Sequence, residues 1–164
     1  MLDAGALIAK HRAKGVLVDA NLLVLFLVGH ISKRRILEFK RTQNFTIEDF
    51  DTLSRLIGWF GKLVATPHVL SQVSDLTDMP GKDLARIRGL FSSLVEQMEE
   101  PYDASKVLVA QPLFTRLGLT DAAIATVCSR GVLVLTADLN LQLALQQRGA
   151  DALNFNHVRT LGWR

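Results

Sequence analysis

Three aspartates dominate the chemistry this sequence can offer. Asp19 closes the apolar run Val16-Leu17-Val18, Asp121 follows Leu119-Thr120, and Asp138 stands just beyond Leu133-Val134-Leu135-Thr136. Each lies among apolar neighbours, where an ionised carboxylate is costly unless its charge is compensated. Brought together, the three would repel one another, and a hard divalent cation that takes oxygen ligands relieves that repulsion. A cation held in this way lowers the pKa of bound water and stabilises both oxygens of an in-line phosphoryl displacement. Metal-assisted hydrolysis of a phosphodiester is therefore the expected chemistry. Singly, each aspartate reads equally well as a helix cap. The inference rests on all three meeting.

The elements that must position them are legible as alternating strands and helices. Val16-Leu17-Val18-Asp19 reads as a buried strand, followed by a helix that is apolar all round from Asn21 to Val28 and ended by Gly29. Ser32 opens a basic helix through about Lys40, and Thr46-Ile47-Glu48-Asp49 opens another that reaches about Lys62. Leu63-Val64-Ala65 is a strand, Thr66-Pro67 starts the next helix, and Asp83 to Glu99 has helical spacing. Val107 to Ala110 fits a strand or a helical turn. Thr120 is the expected N-cap of a helix over 122–129, Val132 to Thr136 a strand, Asp138 to Arg148 a helix, and Ala152 to Phe155 the last strand. Short strands that are apolar on both faces predict a mainly parallel sheet covered on both sides, a three-layer α/β/α sandwich in a single domain over residues 1–164. In such sheets the reactive crevice lies beyond the carboxyl ends of the strands, where all three aspartates are expected.

Composition narrows the classes. The chain has 164 residues, 49% hydrophobic and 21% charged, which suits an ordinary folded domain rather than a disordered or low-complexity one. Its single cysteine, Cys128, excludes an internal disulfide and a multi-thiolate zinc site. The longest apolar stretch, Val16 to Val28, includes Asp19 and Asn21 and falls short of the roughly 20 residues a bilayer requires. No secretory leader is evident, so a cytoplasmic protein without a membrane anchor is expected. Net charge is only +3, yet the segment Lys10–Arg41 carries eight basic and two acidic residues, leaving the remainder at −3. That asymmetry suits contact with a phosphate backbone, with Arg34, Arg35, Lys40 and Arg41 as RNA-contact candidates. It suits a solvated helix face equally well.

Four segments in order resemble those of PIN-domain nucleases, including the VapC-type toxins: Val16-Leu17-Val18-Asp19-Ala20-Asn21, Thr66-Pro67-His68-Val69-Leu70-Ser71-Gln72-Val73, Leu117-Gly118-Leu119-Thr120-Asp121-Ala122-Ala123-Ile124 and Leu135-Thr136-Ala137-Asp138. Asn154-Phe155-Asn156 matches the family's last strand, so the likeness spans about Val16 to Arg159. The resemblance implies a Mg²⁺- or Mn²⁺-dependent endoribonuclease, often a homodimer, and the toxin of a toxin–antitoxin pair with a cognate antitoxin as partner. It implies Asp19, Asp121 and Asp138 as metal-binding catalytic carboxylates, with Asn21, Thr120 and Thr136 in support.

One position departs from the family. Gln72 stands where a glutamate is usual, keeping an oxygen acceptor but losing the charge. A weaker metal site follows, either partly repaired by Asp75 three residues on or left catalytically impaired, as an RNA-binding or protein-interaction module. His68 reads as structural more readily than catalytic, and Cys128 and Trp59 as packing. A dinucleotide-binding domain is disfavoured, because no G-x-G-x-x-G follows the first strand. A phosphotransferase using Asp19 as nucleophile lacks the second acid and the lysine it would want.

Overall fold

Residues 3–160 of the computed structural model are described here. Residues 1, 2 and 161–164, which the single-domain expectation also includes, lie outside them. The chain runs through α1 (Ala4–His11), β1 (Val16–Val18), α2 (Ala20–Ile31), α3 (Lys33–Glu38), α4 (Ile47–Gly58), β2 (Leu63–Val64), α5 (Pro67–Leu76) and α6 (Lys82–Glu96). It continues through α7 (Ser105–Leu108), α8 (Pro112–Leu117), α9 (Leu119–Cys128), β3 (Leu133–Thr136), α10 (Leu139–Gln147), β4 (Ala152–Asn154) and α11 (Phe155–Thr160).

The four strands form one all-parallel sheet in the order β2-β1-β3-β4. Side chains alternate between the faces of a strand, and every residue of β1, β3 and β4 is buried, so helices cover both faces of an α/β sandwich. No helix among the described residues is long and apolar enough to cross a membrane. The strand order matters for chemistry. From β1 the chain moves outward to β2, while from β3 it moves the other way to β4. Crossovers between parallel strands are right-handed, so connections in opposite directions lie on opposite faces. In parallel sheets ligands bind where such a reversal falls, beyond the carboxyl ends of the strands, here those of β1 and β3.

Several boundaries differ from the sequence reading, each for a local reason. Gly29 does not end α2, which continues to Ile31 and closes with the Ser32 N–H on the Val28 carbonyl, 3.0 Å away. The glycine serves packing instead. A Cβ there would lie 2.1 Å from the Phe50 ring of α4, so only a bare backbone permits this approach. Gly29→Ala is therefore expected to destabilise by about 1–3 kcal/mol through overpacking, read as a lower urea midpoint. An unchanged midpoint would mean that Phe50 moves aside freely.

The basic helix α3 stops at Glu38, short of Lys40, where Phe39 turns extended (φ −79°, ψ 130°) and buries its ring. Helix α4 stops at Gly58, with Trp59 as C-cap. Its N-terminus forms the expected capping box, with Thr46 Oγ1 accepting from the Asp49 N–H and the Asp49 carboxylate accepting from the Thr46 N–H. Val107 to Ala110 resolves in favour of a helical turn, α7. Helix α9 starts at Leu119 with Gly118 as N-cap, so Thr120 is inside the first turn and does not cap it. Gly118 has φ 93°, a conformation that disfavours threonine and suits glycine. Phe155 leaves the last strand to begin α11, fully buried.

Candidate functional site

The site is built on the β1/β3 register. Val18 pairs with Leu135, so the next residues, Asp19 and Thr136, emerge side by side at the carboxyl edge. The Asp19 N–H donates to the Leu135 carbonyl at 2.9 Å, extending the ladder by one bond. Asp19 is also the N-cap of α2, with Oδ1 accepting from the Ala20 N–H at 2.8 Å. Its Oδ2 accepts from the Thr136 hydroxyl at 2.8 Å.

Thr136 is fully buried and works in both directions. While its hydroxyl donates to Asp19, its oxygen accepts the Asp138 N–H at 3.0 Å. One side chain thus ties the end of β1 to the start of α10. Asp138 in turn caps α10, with Oδ1 accepting from the N–H groups of Asn140 and Leu141 at 2.8 and 3.2 Å.

Asp121 comes from a different element, the first turn of α9, which packs against β3, α10 and α5. Burial pushes its carboxyl up to about 6, and the charges of Asp19 and Asp138 push in the same direction. A place in the first turn of a helix favours an ionised carboxylate. Here burial and two like charges outweigh it. Asp19 is raised as well, first by burial, then held back by the Thr136 hydroxyl and the Ala20 N–H, with a smaller upward push from Asp138. None of the causes raising Asp121 is offset by a cation. No ion pair among the described residues engages Asp19, Asp121 or Asp138.

Three carboxylates from three elements therefore act on one another electrostatically, and no ion pair among the described residues compensates them. Among the described residues, no group of three or more histidine, cysteine, aspartate or glutamate side chains is set to hold a metal ion as they stand. Their donor chemistry nevertheless suits a hard cation, since all are oxygen ligands and the cluster lacks a positive partner. Two of them are already fixed by backbone and hydroxyl hydrogen bonds.

The remaining candidates divide. Asn21 is exposed in the first turn of α2, next to Asp19, and Thr120 is half-buried beside Asp121. Gln72 is exposed on α5, whereas the side chains of Asp19 and Asp138 accept from Ala20, Thr136, Asn140 and Leu141. Asp75 is likewise exposed. Arg34 and Arg35 begin at the opposite end of α2 from Asp19, about 18 Å of helix away. Both pair with Glu38, and Arg35 also with Asp83 at 3.0 Å. Lys40 and Arg41 are exposed and belong to no ion pair among the described residues. After them the chain returns towards the last strand, with the Phe45 ring 6.4 Å from Phe155.

A brace at the β3/β4 end carries no obvious sequence signal. Asn154 is buried and donates to Gln142 Oε1 at 3.0 Å, while its Oδ1 accepts the Asn156 N–H at 2.9 Å. The Asn156 amide then donates to the Ala137 carbonyl at 3.2 Å, between Thr136 and Asp138. The pair Asn154-x-Asn156 after an apolar run was its only trace.

No family model matches the chain, and no curated protein does. A solved structure does share its architecture. The crystal structure of PAE2754 from Pyrobaculum aerophilum superposes with a TM-score of 0.53 at 15% identity, covering 90% of this chain and 94% of that one. At that identity the likeness speaks for the fold, and over nearly the whole length of both chains.

Proposed function

We propose that this chain is a PIN-like, Mg²⁺- or Mn²⁺-dependent endoribonuclease. The observation that carries the reading is the meeting of Asp19, Asp121 and Asp138 at the sheet's switch point without a cationic partner. Asp19, Asp121 and Asp138 would hold the ion, which when bound supplies an acidified water and charge stabilisation for phosphodiester hydrolysis. The chain's own part is positioning. The Asp19 carboxylate is fixed by Thr136 and the Ala20 N–H, and Asp138 by the first turn of α10. Asp121 faces both from α9 and accepts a proton near pH 6, which links cation binding to proton release. Of the four basic candidates, Lys40 and Arg41 are the two that join no ion pair among the described residues, and they would meet the phosphate backbone. A toxin role, a cognate antitoxin and a homodimer belong to the same proposal. Growth arrest on expression, relieved by a neighbouring gene product, tests the toxin role.

Gln72 favours a second reading, a PIN-like module that binds RNA or a protein without cutting. The deciding experiment measures Mn²⁺-dependent cleavage of a structured RNA by wild type, Gln72→Glu and Asp19→Asn. A nuclease is expected to cut detectably as wild type and about tenfold or more faster as Gln72→Glu, because a fourth carboxylate tightens the ion. Asp19→Asn is expected to be silent. Silence from both wild type and Gln72→Glu would establish the non-catalytic module instead.

A further inference from the structure

The opposite edge of the sheet carries the reverse charge. Lys14 precedes β1, Lys62 precedes β2 and Arg130 precedes β3, three adjacent parallel strands whose amino ends share that edge. These three cations line a cavity of about 290 Å³ together with Glu99, Pro101, Val64, Val127 and Val132. Two of them are matched by carboxylates. Lys62 Nζ is 3.1 Å from Glu99, and Arg130 Nη2 donates to both oxygens of Asp103 at 3.0 and 3.1 Å.

Lys14 is not matched. It belongs to no ion pair among the described residues. Its side chain lies over Gly131, where a Cβ would come within 3.0 Å of Nζ and 3.2 Å of Cδ. Gly131 has φ +99° and offers a bare backbone to that ammonium. The cavity thus holds one surplus positive charge beside apolar side chains, and its volume falls near the low end of small-ligand sites, roughly 300–1,000 Å³.

We propose that this cleft binds a phosphate monoester with an apolar or aromatic body, of the nucleoside monophosphate class, at a site separate from the carboxylate crevice. The phosphate is met by Lys14, with Lys62 and Arg130 flanking it, and the base or sugar lies against the valines. Asp19 and Asp138 lie beyond the other ends of the same strands, so the two sites are separate.

The test titrates adenosine 5′-monophosphate into the full chain by amide NMR. EDTA is present so that no ion bridges the nucleotide to the carboxylates. Saturable shifts around Val64, Val127 and Val132 are expected in wild type and in Asp121→Asn alike. Affinity is expected to fall about tenfold in Lys14→Ala and to return in Lys14→Arg. Adenosine and inorganic phosphate, each holding half of the ligand, are expected to bind more weakly than the nucleotide. An unsaturable response, equal affinity in Lys14→Ala, adenosine binding as tightly as the nucleotide, or loss of binding in Asp121→Asn would each overturn the proposal.

Discussion

At pH 7.5, Asp121→Asn is expected to melt about 2–4 °C above wild type in EDTA and, with Mn²⁺ in place of the chelator, to lose more than a hundredfold in RNA cleavage. The two effects have one cause. The folded protein holds Asp121 up to about 6 against an ordinary 3.8, through burial and the charges of Asp19 and Asp138. Well below pH 3.8 the carboxyl is protonated whether the chain is folded or not, and the position contributes nothing. As pH rises towards 6, the unfolded chain releases the proton while the folded one keeps it, so stability falls with pH. Above 6 the whole cost is present. The shift alone would correspond to nearly 3 kcal/mol, but the group is half-exposed, and solvent screening reduces this to about 1 kcal/mol.

Asparagine removes that charge, and with it both the burial cost and the repulsion, so its advantage should be full at pH 7.5 and much smaller at pH 4. Mn²⁺ should reverse the order, because an ion that binds only the folded state stabilises wild type by mass action. The variant, with one ligand replaced by a neutral amide, gains less. Melting curves at both pH values, with MnCl₂ or EDTA, read all of this. An Asp121→Asn protein that melts below wild type at pH 7.5, or responds to Mn²⁺ as wild type does, would show that the three carboxylates do not act together.

Two of the aspartates were legible in the sequence because each follows an apolar run, and a strand that is buried on both faces must deliver its next polar residue to the sheet edge. Asp19 and Asp138 follow β1 and β3 in that way. What the sequence does not contain is strand order. Nothing in Val16-Leu17-Val18 or Leu133-Val134-Leu135 states that they are neighbours, yet that pairing puts Thr136 against Asp19. The basic segment shows a related limit. Its charges are close in sequence, but the fold sends Lys10 to Asp151, Lys33 to Asp51 and Arg35 to Asp83, and lays Arg12 over Trp59. Partners so distant in the chain leave no local pattern. Gly29 shows the same limit from the side of packing, since Phe50 is what requires it and the spacing of α2 alone suggests a stop.

Thr136→Val is expected to lower Mn²⁺-dependent cleavage by about 10–100-fold at pH 7 and to move the acid limb of its pH profile upward. The side chain is fully buried, and valine fills nearly the same space, so shape changes little while two hydrogen bonds vanish. Asp19 loses the hydroxyl that opposes its burial, the strongest influence holding its carboxyl down. With that gone, Asp19 stays protonated to higher pH, and a protonated carboxyl is a poor ligand. The Asp138 N–H meanwhile loses its acceptor, which costs about 1–3 kcal/mol and loosens the start of α10. Thr136→Ser keeps the hydroxyl and should restore both rate and profile, at the smaller cost of a missing methyl group. The profile separates two roles for this residue. A threonine that only braced the turn would lower stability when replaced and leave the acid limb where it was, whereas one that sets the charge of Asp19 must move it.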